Sequence, residues 1–538
     1  MPVASTSSTN QKHSHVDILI LGAGPTGLGA ARKLTKQNNQ NWLMIDAADR
    51  AGGMAVTERD EKGFLWDMGG HVIHSHFDAF NDAINSHNDW VYPQRGGWVR
   101  VENAWCPTPI QRHLGNLKKG EQICQEINEI QSKGVSMADQ EAKNLGEYFS
   151  STFGPTLNDI FFTPFNSKQW AWPLDKLNHT WTSLRAGSKA ANVPKPKSVV
   201  TSSDQPDDIS NFPYPRLGTG DLWQSVARAL PADKQRYNTY VTSIDLDEHT
   251  VTLDNGETVS YGHCISSLPL SVSIELVNAA KPNAAIPISL KPLLKHSSTT
   301  VVGLGFDGPL PKELEGKTWV FGADADVSFH RCTILTNFSP SLSEGENGSG
   351  SRWSVMFETA SSEHRQIDIR PDVLAKKHLA ELRRWGAVKE DQEPISTWSR
   401  HLQLGYPIPF LERDEVLLSD DNSSGIIQRF EKFGFVQRGR FGGWRYESSN
   451  QDYAFVQGYE AVDLIQTGAQ ESIYWPGRAD KVTLPAAPKS KSIQSPTTPS
   501  EVASAAGTQC LLPNANETNG HGNQEHYKQN GGSLVHAQ

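Results

Sequence analysis

Gly22, Gly24 and Gly27, with Asp46 about 20 residues beyond, have the types and spacing that cradle a dinucleotide. Gly22 permits a tight turn out of the apolar run 17–21, and Gly24 lets backbone N–H groups approach a pyrophosphate at a helix N-terminus. Gly27 lets that helix pack closely on the strand, and Asp46 closes the second apolar run where a carboxylate accepts ribose hydroxyls. Two double-glycine turns follow, Gly52-Gly53-Met54 and Asp67-Met68-Gly69-Gly70-His71. Paired glycines let backbone lie against a flat, bulky ring such as an isoalloxazine, although they also make ordinary turns. His71, His74 and His76 have no acidic or cysteine partner spaced to close a metal site, so no metal is expected.

These groups need strand, turn and helix in that order, and residues 17–46 read so: a strand, the glycine turn, a helix through Gly29, Ala30 and Ala31, and a second strand. Residues 113–190 carry helix-length patterns, including 120–132 and 141–153, followed by the aromatic segment 161–172. A meander is expected over 241–246, 250–253 and 257–261 with its turn at Asp254-Asn255-Gly256, then a separate apolar strand over 264–267. Further strands are expected over 298–306, 317–322, 330–337 and 353–359, with the polar stretch 341–351 as a loop. From Lys481 the composition turns to Ser, Thr, Pro, Asn, Gln and Gly, which cannot bury enough apolar surface to fold alone.

At 538 residues the chain exceeds what one core supports, so a multi-part enzyme is expected. A net charge of −10 and no long basic run argue against a nucleic-acid surface. Five scattered cysteines form no Cys-x-x-Cys pair, which excludes a disulfide framework and a cysteine zinc site. Residues 1–15 show no secretory core, and nowhere do about 18 apolar residues run together. The expectation is a soluble, cytoplasmic protein with no membrane partner; whether it forms a homo-oligomer is open.

Four further segments carry a resemblance. Asp67 to His76, Pro164-Phe-Asn-Ser-Lys-Gln-Trp-Ala-Trp-Pro173, Gly405-Tyr-Pro-Ile-Pro409 and Arg438-Gly-Arg-Phe-Gly-Gly-Trp-Arg-Tyr-Glu447, continuing to Asn450-Gln451-Asp452, resemble the eukaryotic (fungal-type) UDP-galactopyranose mutases, collinearly over about 16–477. The resemblance implies an α/β protein with a discontinuous Rossmann-like FAD-binding domain (16–95, 212–285 and 405–478), a mainly helical substrate domain (96–211) and a twisted antiparallel sheet domain (286–404). Residues 1–15 and 479–538 would be disordered ends. It implies interconversion of UDP-galactopyranose and UDP-galactofuranose, a step of cell wall biosynthesis, through an adduct between the sugar and N5 of reduced FAD. NADPH or NADH would reduce the flavin.

By the same resemblance, Arg185 and Arg331 would clamp the diphosphate, and guanidinium forks suit paired phosphate oxygens. Arg440 would lie beside the flavin, Tyr406 and Tyr446 would reach the diphosphate, and His71 with Gly70 would face the flavin ring. Gly53, Asn450 and Gln451 would hold FAD; Gln111, Asn166 and Trp170 would meet the sugar nucleotide; Arg95 would meet NADPH. The pattern breaks at Thr108-Pro109-Ile110-Gln111, where the family has Tyr-Pro-Phe-Gln and stacks an aromatic ring on uracil. Phe321 and Phe338 replace two tyrosines, His74 replaces a phenylalanine, and Gly97 replaces a hydroxyl residue near Arg95. Two readings follow. One is the UDP-galactopyranose mutase; the alternative is an FAD-dependent oxidoreductase or mutase of the same fold acting on another sugar nucleotide or a specialised metabolite.

Overall fold

The computed structural model describes residues 13–132, 142–182, 200–282, 285–344, 351–419, 425–476, 478 and 481–488. Its first sheet grows from the strand His13–Leu21, which pairs in parallel with Trp42–Ile45 on one side and Thr258–Ser266 on the other. Ile18 to Leu21 are buried throughout, as befits a parallel strand covered on both faces. The meander strands Val241–Asp245 and Thr250–Leu253 extend the sheet antiparallel, with Gly256 at positive φ in the turn. The strand expected separately over 264–267 is instead the end of the nine-residue strand Thr258–Ser266, whose later half gains a parallel partner in Phe435–Gln437.

The helix Pro25–Lys36 packs against the last long helix, Gln451–Thr467. A Cβ on Gly29 would lie 1.9 Å from the Phe455 carbonyl oxygen and one on Gly458 would lie 1.8 Å from that of Thr26, so the two helices meet backbone to backbone. That approach carries Asn450 and Gln451, at the second helix's N-terminus, to the glycine cradle although more than 400 residues separate them in sequence.

The second sheet has the strands Ser396–Pro407, His296–Asp307, Arg352–Ser361, Arg331–Ile334, Trp319–Gly322, Gly97–Val101 and Ala104–Pro107, in that spatial order. All neighbours are antiparallel except Trp319–Gly322, which runs parallel to Gly97–Val101. The edge hairpin 97–107 thus joins the sheet rather than opening the helical region expected from residue 96. Its alternation in Gly-Trp-Val-Arg-Val buries Val99 and Val101, a pattern too short to stand out beside the helices that follow.

Those helices are Gly120–Ser132, Leu145–Phe153 and Thr163–Trp170, around an aromatic core in which Phe162 stacks on Phe149 and Phe153. Asn144 caps the second helix, accepting the Glu147 N–H at 2.9 Å, so it begins later than the expected residue 141. Two short segments expected to be irregular have defined partners. Residues 13–15 pair with 258–260, and residues 481–488 lie along the first sheet, with Val482 buried and the Pro485 carbonyl accepting from His263 Nε2 at 2.9 Å.

Candidate active site

One cavity of about 380 Å³ runs from the glycine cradle to the face of the second sheet. Gly22, at φ +99°, leaves the first strand there; a Cβ on it would sit 2.2 Å from Ser267 Oγ. A Cβ on Gly27 would sit 1.8 Å from the Gly22 carbonyl oxygen. A Cβ on Gly53 would sit 3.0 Å from Gly24 Cα, so the two glycine turns lie close together along the cavity at the helix N-terminus. Gly27→Ala is therefore expected to yield folded protein with strongly reduced FAD content, measured by bound flavin absorbance; full occupancy would show that close helix–strand packing is dispensable.

Asp46 lines the same end of the cavity. It is buried, Oδ2 accepting the Ala23 N–H at 2.5 Å and Oδ1 the Ala48 N–H at 2.7 Å, so the loop that carries the glycines orients its carboxylate. At the far end, the turn Gly69–Gly70–His71 is anchored by Asp67, which accepts from Tyr214 Oη at 2.6 Å, Thr57 Oγ1 at 2.5 Å and the Thr219 N–H at 3.2 Å. Burial raises the Asp67 carboxyl above its ordinary value, and these donors oppose that shift. Burial, with Arg331 nearby, pushes His71 down to about 4, so its ring is neutral at physiological pH.

Beside that turn stand the groups able to hold an anion. Arg331 and Glu358 are directly opposed across adjacent strands and form a two-point pair, Nε to Oε1 at 2.7 Å and Nη2 to Oε2 at 2.8 Å. Burial alone would raise Glu358, but Arg331 holds it down at about 2. Arg440 has no carboxylate within ion-pair distance among the described residues; its guanidinium lies 5.8 Å from the ring centres of both Tyr406 and Tyr446. All of these, with Asn450 and Gln451, line the cavity. Gln451 accepts from Trp223 Nε1 at 2.5 Å, while its own Nε2 is buried with no partner among the described residues.

The expected sugar-nucleotide groups behave differently. Asn166 donates to the Phe162 carbonyl at 2.8 Å and accepts from Trp170 Nε1 at 3.2 Å, so both spend polar atoms inside the helical core. Trp170 is fully buried and meets Tyr446 edge-on at 4.8 Å, supporting the tyrosine from behind rather than lining the cavity. Gln111 is likewise buried in the short turn Ile110–Arg112, outside the cavity lining. All three are buried, and none lies on the cavity wall. Arg95 lies outside the cavity lining with Nη1 paired to Asp208 at 2.7 Å, and Arg185 lies outside the described residues.

The divergent positions differ in kind. Phe338 packs among Phe212, Tyr214 and Trp319, and Phe321 meets Phe165 edge-on, neither lining the cavity. Thr108 donates to the Gly97 carbonyl at 3.0 Å. His74 and His76 are both exposed, the ring of His76 lying against Phe77. Glu358 is a charged cavity residue absent from the expected set. Its signal was a lone acid inside the apolar strand Trp-Ser-Val-Met-Phe-Glu, a placement that burial penalises unless a cation faces it.

The glycine wall, the orphaned Gln451 amide and the cavity's length fit FAD, and the two sheets joined around it define an FAD-dependent flavoenzyme. The chain belongs to the flavin containing amine oxidoreductase family, whose model matches residues 25–410. A solved reduced UDP-galactopyranose mutase aligns with TM-score 0.76 and 29% identity, covering 85% of this chain and 96% of that one. A putrescine oxidase aligns with TM-score 0.58 and 16% identity over 84% of this chain and 99% of that one, so it shares the fold. Cyclohexylamine oxidase from Brevibacterium oxydans IH-35A does so as well, at 0.58 and 14% over 84% and 98%. A Mycobacterium tuberculosis protein described as a flavin-containing monoamine oxidase, AofH, is 45% identical over 58 residues, 11% of this chain and 12% of that relative's length.

Proposed function

We propose that the protein is a divergent eukaryotic-type mutase that interconverts UDP-galactopyranose and UDP-galactofuranose on reduced FAD. The observation that carries this reading is the cation pair Arg331 and Arg440 at the flavin turn, set against one carboxylate, Glu358. Such a site attracts an oxyanion and repels the ammonium group that an amine oxidase takes. Reduced flavin supplies a nucleophilic N5 for the anomeric carbon, which avoids a single difficult displacement.

The chain's own groups do the rest. Arg440, and Arg331 through its remaining Nη1, stabilise charge on the departing diphosphate, while Tyr406 and Tyr446 present phenols to it. Burial raises the Tyr406 phenol's pKa, so it stays protonated and can donate to the diphosphate. NADPH or NADH is the expected reductant, and Arg95, engaged by Asp208, contributes little to choosing between them.

The departures from the mutase pattern at Thr108, Phe321, Phe338 and His74 favour a second reading, a mutase of this fold that acts on a different phosphorylated sugar or specialised metabolite. Incubating the dithionite-reduced holoenzyme with UDP-galactofuranose should form UDP-galactopyranose, detected by chromatography. No turnover by FAD-loaded protein would reject the first reading, and rapid flavin reduction by an organic substrate with peroxide release would replace both with an oxidase.

A further inference from the structure

Glu358 does more than neutralise Arg331. Its Oε1 also accepts the Gly70 N–H at 3.2 Å, so one buried carboxylate is shared between the arginine fork and the turn beside the flavin. Gly69 holds φ +137°, which side chains rarely adopt, and Gly70 lets the turn lie close on the sheet: a Cβ there would stand 2.5 Å from Thr333 Oγ1 and 2.9 Å from Trp319 Nε1. The carboxylate takes Nε and Nη2 of Arg331, which leaves Nη1 with no protein partner among the described residues.

We propose that Glu358 is a positioning residue that joins the anion site to the flavin turn, holding Arg331 by one edge and Gly70 by its N–H so that the two form one rigid unit. The inference rests on the reading of Arg331 as an anion-facing group, and it adds a consequence that reading lacks. An oxyanion seated on Arg331 is felt at the flavin through Glu358 and Gly70, whereas Arg440, which lacks a carboxylate, supplies the long-range attraction.

The test uses the FAD-loaded wild type, Glu358→Gln and Glu358→Asp, with inorganic pyrophosphate as the probe. Binding is followed by calorimetry and, separately, through the flavin's visible spectrum. Wild-type protein should show a pyrophosphate-induced change in the flavin bands. In both variants pyrophosphate should still bind by calorimetry, while that spectral change is largely lost. Glu358→Gln should also move the ligand-free flavin midpoint potential in the positive direction, because a buried negative charge beside the reduced flavin is gone; Glu358→Asp, which keeps the charge but shortens the reach, should leave it near wild type.

A full spectral response in the variants overturns the proposal, and Glu358→Asp decides alone if Glu358→Gln fails to fold. None of these readouts requires turnover of a sugar nucleotide. Loss of the mutase reading therefore leaves them interpretable, whereas wild-type protein that binds no pyrophosphate overturns the anion site and this inference with it.

Discussion

Arg440→Ala should lower kcat/KM for the anionic substrate by about 10²–10³-fold, the cost of removing one preorganised donor at a site of developing charge. Arg440 carries this effect because no carboxylate among the described residues cancels its charge, on a chain whose net charge is −10. Its guanidinium is placed between Tyr406 and Tyr446, so its direction is set before the ligand arrives. Arg440→Lys should recover only part of the loss, since a point charge does not reproduce the planar fork. Raising ionic strength should weaken substrate capture more in wild type than in Arg440→Ala. Steady-state kinetics at two salt concentrations checks both points, and a loss below fivefold would remove Arg440 from the machinery.

Glu447→Ala should destabilise the fold by about 3 kcal/mol, the lower end of the cost of breaking a buried ion pair, because Arg413 keeps Asp414 as a partner. Arg413 is fully buried and donates to both Glu447 oxygens, at 2.9 and 2.7 Å, while Arg445 Nε donates to Oε1 at 3.0 Å. Glu447 closes the motif that begins at Arg438 and contains Arg440, so the same change should also loosen FAD retention. Burial would raise the Glu447 carboxyl, yet Arg413 and Arg445 hold it at about 2, below its ordinary 4.5. A depressed folded-state value means that the stabilisation is complete above about 4.5 and is lost as pH falls towards about 2. Urea unfolding followed at several pH values should show wild type losing stability across that window with a smaller loss in Glu447→Ala. An identical acid dependence in the two proteins would place the sensitive carboxylates elsewhere.

Much of the cofactor end was legible because its chemistry is local. Gly22, Gly24, Gly27 and Asp46 lie within one strand–helix–strand unit, and the steric reason for each glycine is set by neighbours a few residues away. The double-glycine turn at Gly69 and Gly70 was legible for the same reason. The hairpin 97–107 was missed because a five-residue alternation cannot say which sheet receives it. The order of residues 481–488 was missed because their docking depends on the surface formed by His263 and Gln470.

By itself the sequence determined a glycine-lined dinucleotide cradle, an acidic chain with locally placed arginines, and motifs shared with flavin-dependent mutases. Only the tertiary structure decided which motif residues face the cavity. Arg331, Arg440, Tyr406 and Tyr446 converge there with His71, whereas Gln111, Asn166 and Trp170 are buried away from its wall. It also brought Glu358 opposite Arg331, a pairing set by the register of two strands. The physical reason is range: backbone conformation at a glycine is decided within a turn, but the direction and charge state of a buried side chain are decided by whatever packs against it from distant sequence.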